Sequence, residues 1–158
     1  MATFTGTNAN EIITPASVSP TVTAVGGGFP SDAADIVDGG GGNDTIHAEG
    51  GDDSLLGGDG DDLLTAGRGN DTVLGGHGND AADLGPGDDL FTWNQGDGSD
   101  TVQGGDGFDT MAFNGAVLPE NITISGHGHG ASLVRDLGKI TMDVNSIERI
   151  EVAPLAFM

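Results

Sequence analysis

At 158 residues the chain is about one domain's worth, and 30 glycines against 4% aromatic residues leave little from which to build a bulky core. Twenty-five acidic side chains against four basic ones give a net charge of −21, which argues against nucleic acid and anionic membrane as partners and in favour of cations. There is no cysteine, so disulfides and thiolate metal sites are excluded, and no stretch has the apolar length of a membrane helix, so no membrane insertion is expected.

The N-terminal MATFTGTNANEIITP has neither a basic nor an apolar leader region, so no cleaved secretory signal is visible. Residues 6–14 (GTNANEIIT) loosely fit a nine-residue frame that governs the centre of the chain, with Glu11 where the frame has Asp and Ile13 where it has an inward residue. Residues 15–29 break that frame. With Pro15, Pro20 and Pro30 nearby and glycines at 26–28, they read as an inserted loop or an extra edge strand around 21–25. At 30–38 the frame resumes: Asp35 and Val37 are in phase, Ala33 replaces the turn glycine, and a strand is expected.

Residues 39–92 then repeat six times without a gap: GGGGNDTIH, AEGGDDSLL, GGDGDDLLT, AGRGNDTVL, GGHGNDAAD and LGPGDDLFT. The frame is GGxGxDxUx, with U usually aliphatic. Gly42, Gly51, Gly60, Gly69, Gly78 and Gly87 hold the fourth position, and Asp44, Asp53, Asp62, Asp71, Asp80 and Asp89 the sixth. Eleven Asp among these 54 residues do not fall six times in phase by chance, and such a period outranks any local signal. Trp93 and Asn94 interrupt, and the frame returns at 95–103 (QGDGSDTVQ) and 104–112 (GGDGFDTMA), adding Gly98, Asp100, Gly107 and Asp109. Ala48, Glu49 and Leu84 depart from the leading glycine pair, Ala81 and Ala82 leave a thin spot in the core, and Pro86 sits in a turn. From Phe113 the period is gone. Residues 121–125, 131–135, 139–144 and 147–152 alternate apolar and polar residues as strands do, and every Lys and Arg except Arg68 lies here, as suits a polar cap. The division expected is 1–38, degenerate repeats with the inserted loop; 39–112, the repeat array; and 113–158, a β cap with a possible secretion signal.

Glycine reaches backbone angles closed to other residues, while Thr, Val, Ile and Leu suit a pleated strand, so each nonamer makes one turn and one short strand. Ile46, Leu55, Leu64, Val73 and Phe91 would point inward, and so short a strand buries its face only by stacking on its neighbours. If successive strands alternate between two sheets, residues eighteen apart lie above one another at about 4.8 Å. This is an all-β parallel roll. Its edges carry Asp44, Asp62, Asp80 and Asp100 on one side and Asp53, Asp71, Asp89 and Asp109 on the other. Carboxylates at that spacing repel by roughly 3–4 kcal/mol at an effective dielectric of 20, so the coil needs a counter-ion. A hard divalent cation fits: calcium takes six to eight oxygens, and glycine turns offer carbonyls beside each carboxylate. Three gaps on each edge predict about six calcium ions, with a weak site or none at the 30–38 turn.

These residues resemble the RTX (repeats-in-toxin) hemolysin-type calcium-binding repeat. The resemblance implies a right-handed parallel β-roll (a solenoid) in which GGxGxD turns hold calcium, with the sixth-position Asp side chains and glycine-turn carbonyls as ligands. It also implies export from Gram-negative bacteria through type I channels on an uncleaved C-terminal signal, hence an extracellular, secreted protein. The DTMAFNG, ENITIS and GKITMDVNSIERIEV stretches are similar to the segment after the repeats in bacterial RTX proteins of undefined activity.

No HExxH, GxSxG, P-loop or βαβ GxGxxG is present, and no EF-hand loop, so no enzyme is expected. Paired Asp as glycosidase acids are the alternative to metal ligands, as disorder is to a fold. His127 and His129 in GHGHG are either a transition-metal pair or a solvated turn, His77 sits at a variable turn position expected at the surface, and Trp93 either packs on the core or stacks on a sugar. A carbohydrate-binding accessory module of an extracellular polysaccharide-acting enzyme, like the similar RTX modules of alginate epimerases, is the second reading.

Overall fold

The computed structural model describes residues 2–7, 9, 11–14, 17–18, 23–25, 30–116, 122–127, 130–135, 140–147 and 149–154, with the backbone alone at 17–18, 23–25, 115–116, 122–127, 130–135, 140–145 and 152–154. The chain winds as a β-solenoid between two sheets. In the first sheet Thr3–Thr7, Ile36–Gly41, Ser54–Asp59, Thr72–His77, Leu90–Asn94, Thr110–Ala116 and Arg149–Pro154 lie parallel in that order. The second has Ile12–Thr14, Thr45–His47, Leu63–Thr65, Ala81–Pro86, Thr101–Asp106 and Ile140–Asn145, also parallel. Among the described residues there is no helix, and so none long and apolar enough to cross a membrane.

Strand alternation decides the core, because each xUx strand turns one side chain inward. Phe4, Val37, Leu55, Val73, Phe91 and Met111 stack in register through the first sheet, and Ile13, Ile46, Leu64, Ala82 and Val102 through the second, all buried. At about 1.5–3 kcal/mol for each large apolar side chain, this narrow double file is a modest driving force for so glycine-rich a chain. Trp93 joins it. Its indole is 1% exposed, its ring centroid lies 5.6 Å from that of Phe113, and its Nε1–H donates to the Gly98 carbonyl.

Stacked residues are eighteen apart through the regular array, as from Val37 to Leu55 to Val73. The two departures have visible sources. Phe4 lies beside Val37 and Ile13 beside Ile46, an offset of 33, and the fifteen extra residues equal the 15–29 segment. From that segment Thr23–Val25 adds antiparallel to Thr3–Thr7, and Ser17–Val18 to Ile12–Thr14, each at a sheet edge. Phe91 to Met111 and Ala82 to Val102 are twenty apart, the two extra residues being the insertion at Trp93 and Asn94.

Two features differ from the expectation. Ile36–Gly41, Ser54–Asp59 and Thr72–His77 of the first sheet run six residues, continuing past xUx into the glycine pair, so that Gly40, Gly58 and Gly76 stay in the ladder, and Ala81–Pro86 and Thr101–Asp106 of the second do the same at Gly85 and Gly105. And although the repeat is lost after Phe113, Ile140–Asn145 and Arg149–Pro154 extend the two parallel sheets, with Val144 against Val102 and Ile150 against Met111. Val144 and Ile150 stand six residues apart, where Val102 and Met111 stand nine apart, so a shortened turn hides this coil from the nine-residue period. Gly130–Arg135 and Ile122–His127 complete the second sheet as antiparallel strands. His129 lies outside the described residues, and of His127 only the backbone is described.

The second position of the turn is held in a left-handed conformation, for example at Gly58 (φ 117) and Gly76 (φ 104). Glu49 occupies that position at φ 78. A side chain there costs on the order of 1 kcal/mol, and its 3.8 Å approach to His47 is between two well-exposed groups that contribute little. Glu49→Gly is therefore expected to stabilise the folded protein by up to about 1 kcal/mol, read as a rise in its denaturant midpoint with calcium present.

Candidate metal centre

All eight sixth-position aspartates are buried at the two edges where the chain passes between sheets. They form two columns linked by the same contact. Along one edge the Asp44 N–H donates to Asp62 Oδ1 (2.8 Å), Asp62 to Asp80 (2.9 Å) and Asp80 to Asp100 (3.0 Å). Along the other Asp53 donates to Asp71 (2.8 Å), Asp71 to Asp89 (2.7 Å) and Asp89 to Asp109 (3.0 Å). Each column reaches further toward the N-terminus than the regular repeats do. Glu11 donates to Asp44 Oδ1 (2.6 Å), and Asp35 to Asp53 Oδ1 (2.7 Å).

Only one oxygen of each carboxylate is used in this way. The Oδ2 atoms of Asp44, Asp53, Asp62, Asp71, Asp80 and Asp89 are buried with no hydrogen-bond partner in the protein. A buried charged oxygen without a partner is costly, and native folds rarely repeat the cost in register. Asp35 is the contrast: its Oδ1 accepts from Ala2 N–H (2.6 Å) and its Oδ2 from Ser31 N–H (3.0 Å), so this turn has no oxygen left over.

Burial raises the carboxyl pKa along both columns. It is opposed by the backbone N–H of the preceding coil and reinforced by neighbouring carboxylates, bringing Asp44, Asp62 and Asp89 to about 6 and Asp53 and Asp80 to about 7. Asp100 also reaches about 7, from burial and, more weakly, Asp97, and burial likewise raises Asp71. Left to itself, each column tends to hold protons. A divalent cation removes that tendency.

The fourth-position glycines bring the turns close together. Gly42, Gly51, Gly60, Gly69, Gly78, Gly87 and Gly107 have positive φ, and Gly98 does not. At Gly60 (φ 134) a Cβ would also collide with the Gly42 carbonyl of the preceding coil, so only glycine lets the turns stack. Their amides join coil to coil, Gly42 donating to the Asp59 carbonyl (2.7 Å) and Gly60 to that of His77 (2.7 Å). The Gly98 carbonyl, expected to be free for a cation, accepts the Trp93 indole N–H at 3.1 Å. Among the described residues no three His, Cys, Asp or Glu side chains gather round one point. A cation between coils would thus be met by the carboxylates of two stacked turns and completed by backbone carbonyls, which is oxygen chemistry suited to calcium. The orphaned Oδ2 atoms fit that ion.

Two groups were missed in the sequence. The fifth position carries an exposed ladder running the opposite way: Asp61 N–H donates to Asn43 Oδ1 (3.1 Å), Asn79 to Asp61 (2.8 Å), Asn70 to Asp52 (2.9 Å) and Asp88 to Asn70 (3.0 Å). Its signal was present, since all six central repeats have Asn or Asp there. Asp97 is buried beside the Trp93 insertion, where Oδ2 accepts Asn94 N–H (2.7 Å) and Oδ1 lies 3.6 Å from Nδ1 of the exposed His77. No pattern marks it.

No curated protein matches the chain significantly. The sequence model of the RTX calcium-binding nonapeptide repeat matches residues 30–64, 56–91 and 95–112, in four copies, together just over half of the chain. With the matched segments forming the stacked turns and parallel strands of the solenoid, the chain belongs to the RTX calcium-binding nonapeptide repeat family.

Proposed function

We propose that this chain is a secreted, non-enzymatic calcium-binding β-roll module that folds as calcium enters the gaps between stacked turns. The observation that carries the reading is the register of buried, unpartnered Oδ2 atoms on Asp44, Asp53, Asp62, Asp71, Asp80 and Asp89. About six ions, shared by these residues with Asp100 and Asp109 and completed by carbonyls of the turn glycines, would reduce the net charge of −21 to about −9. Because the empty gap confronts stacked carboxylates, the binding free energy of the metal becomes folding free energy. Export fits the same physics. A chain of this charge stays extended and soluble without the ion, which suits passage through a Gram-negative type I channel, and it folds on meeting calcium outside the cell. The RTX repeat is a structural calcium-binding motif, generally non-catalytic.

Circular dichroism in chelator and then in millimolar calcium tests the proposal. Strand signal is expected to be lost in the first and regained in the second, and a signal unchanged between them would sink the reading. Binding to an extracellular polysaccharide has less support, since Trp93, the ring best suited to stack on a sugar, is in the core.

A further inference from the structure

The two aspartate columns are built differently beside their unpartnered oxygens. In the turns ending at Asp44 and Asp62 the first residue is Gly39 or Gly57, and oxygen fills the space that a side chain there would need. A Cβ on Gly39 would meet Asp44 Oδ2 and the Gly57 carbonyl, and one on Gly57 would meet Asp62 Oδ2 and the Gly75 carbonyl, all closer than 3.0 Å. At Gly75 the same space is taken by Asp80 Oδ2. The orphaned carboxylate oxygen and the first carbonyl of the following coil therefore converge over a bare Cα.

On the opposite edge the turns ending at Asp53, Asp71 and Asp89 start with Ala48, Ala66 and Leu84, whose side chains are fully buried in the apolar core, and only the last turn, before Asp109, again starts with a glycine, Gly104, whose Cβ space Asp109 Oδ2 fills. No carboxylate oxygen can stand where the Cβ atoms of Ala48, Ala66 and Leu84 are. The carboxylates of Asp53, Asp71 and Asp89 are as buried and as unpartnered as those opposite, yet that meeting point of carboxylate and carbonyl is closed to them.

We propose that the four inner calcium sites fall into two classes, which rests on the calcium-binding reading above: a tight class in the glycine-led gaps Asp44/Asp62 and Asp62/Asp80, and a weaker class in the gaps Asp53/Asp71 and Asp71/Asp89. A cation prefers the gap in which two oxygens already stand side by side, because fewer ligands have to be recruited by moving the turn.

The test uses the fully loaded protein mixed rapidly with an excess of fluorescent chelator. Calcium is expected to leave in two phases with rates differing roughly tenfold. Asp62→Asn, which keeps an Oδ1 acceptor for the Asp44 N–H, should sharply reduce the amplitude of the slow phase, and Asp71→Asn should leave it intact. Ala66→Gly, which opens the place of the missing oxygen, should slow the fast phase, and it guards against misfolding of the Asn variants. A single phase in the wild type, or equal losses from Asp62→Asn and Asp71→Asn, overturns the two classes while calcium binding stands. If the protein equilibrated with calcium releases none, the calcium reading itself fails.

Discussion

Without calcium, the chain is expected to gain strand structure as the pH is lowered from about 8 to about 5. The carboxyls of Asp44, Asp53, Asp62, Asp80, Asp89 and Asp100 have ordinary values of 3.8 when unfolded and about 6 to 7 when stacked. The folded form therefore binds more protons than the unfolded form across that window. Its stability from these groups is fully present below about pH 4 and is lost as the pH rises through 6 to 7. A gain in that interval reports the buried columns, whose carboxyls take up protons on folding there. Circular dichroism at the two pH values in chelator, with sedimentation to confirm a monomer, checks the result. Replacing Asp62, Asp71 and Asp80 together by Asn, which leaves every histidine in place, should clearly reduce the pH dependence. An apo chain equally unstructured at both pH values would mean that protons cannot stand in for the cation.

The larger effect expected from a single substitution is at Asp62. Its Oδ1 receives the Asp44 N–H and its own N–H reaches Asp80, so it has a rung on both sides and faces two of the proposed calcium gaps. Asp71 is placed in the same way between Asp53 and Asp89. Asp109 has a rung toward Asp89, and its carbonyl accepts Arg149 N–H, so it serves one gap. Asp62→Ala or Asp71→Ala should raise the calcium concentration at half folding well above that of Asp109→Ala, by roughly tenfold, because weakening two adjoining gaps interrupts propagation of the stack. Titrations of the three variants followed by circular dichroism make the comparison. Equal midpoints would show that the sites are not shared between coils.

The period made much of this fold legible. Nine residues per turn and strand, with Asp and an apolar residue in fixed phase, dictates two alternating sheets and an eighteen-residue stack, and even the 15–29 segment announced itself by breaking phase. What lay outside the period was set by contacts that no local pattern encodes. Ala33 in place of the turn glycine marks the 30–38 turn as a weak site or none, but the amide that Ser31 donates to Asp35, completing its carboxylate, is not encoded in the frame. The glycine pair continues the strand of the first sheet because its partner coil does the same, a property of the stack and not of the tripeptide. The C-terminal coil was hidden by a turn three residues short, although Val144 and Ile150 still meet their partners in register. Among the sites, the burial and alignment of the aspartates followed from phase, while the division of labour between Oδ1 and Oδ2 required the direction of each backbone N–H.

The exposed ladder at the fifth position shows how this protein treats charge where solvent alone is available. Along one edge its rungs run Asn43, Asp61, Asn79, and along the other Asp52, Asn70, Asp88. Neutral and anionic rungs alternate, so no carboxylate there lies directly above another, and like charges in register are avoided as they are between paired strands. One residue further on, in the buried columns, the same stacking carries Asp at every level. The outer ladder is a built-in control for the inner one: both bind coil to coil through Oδ1, and only the inner one leaves its charge undiluted. Asn would serve the hydrogen bond equally well at the sixth position, so the uninterrupted Asp there answers to something other than the backbone.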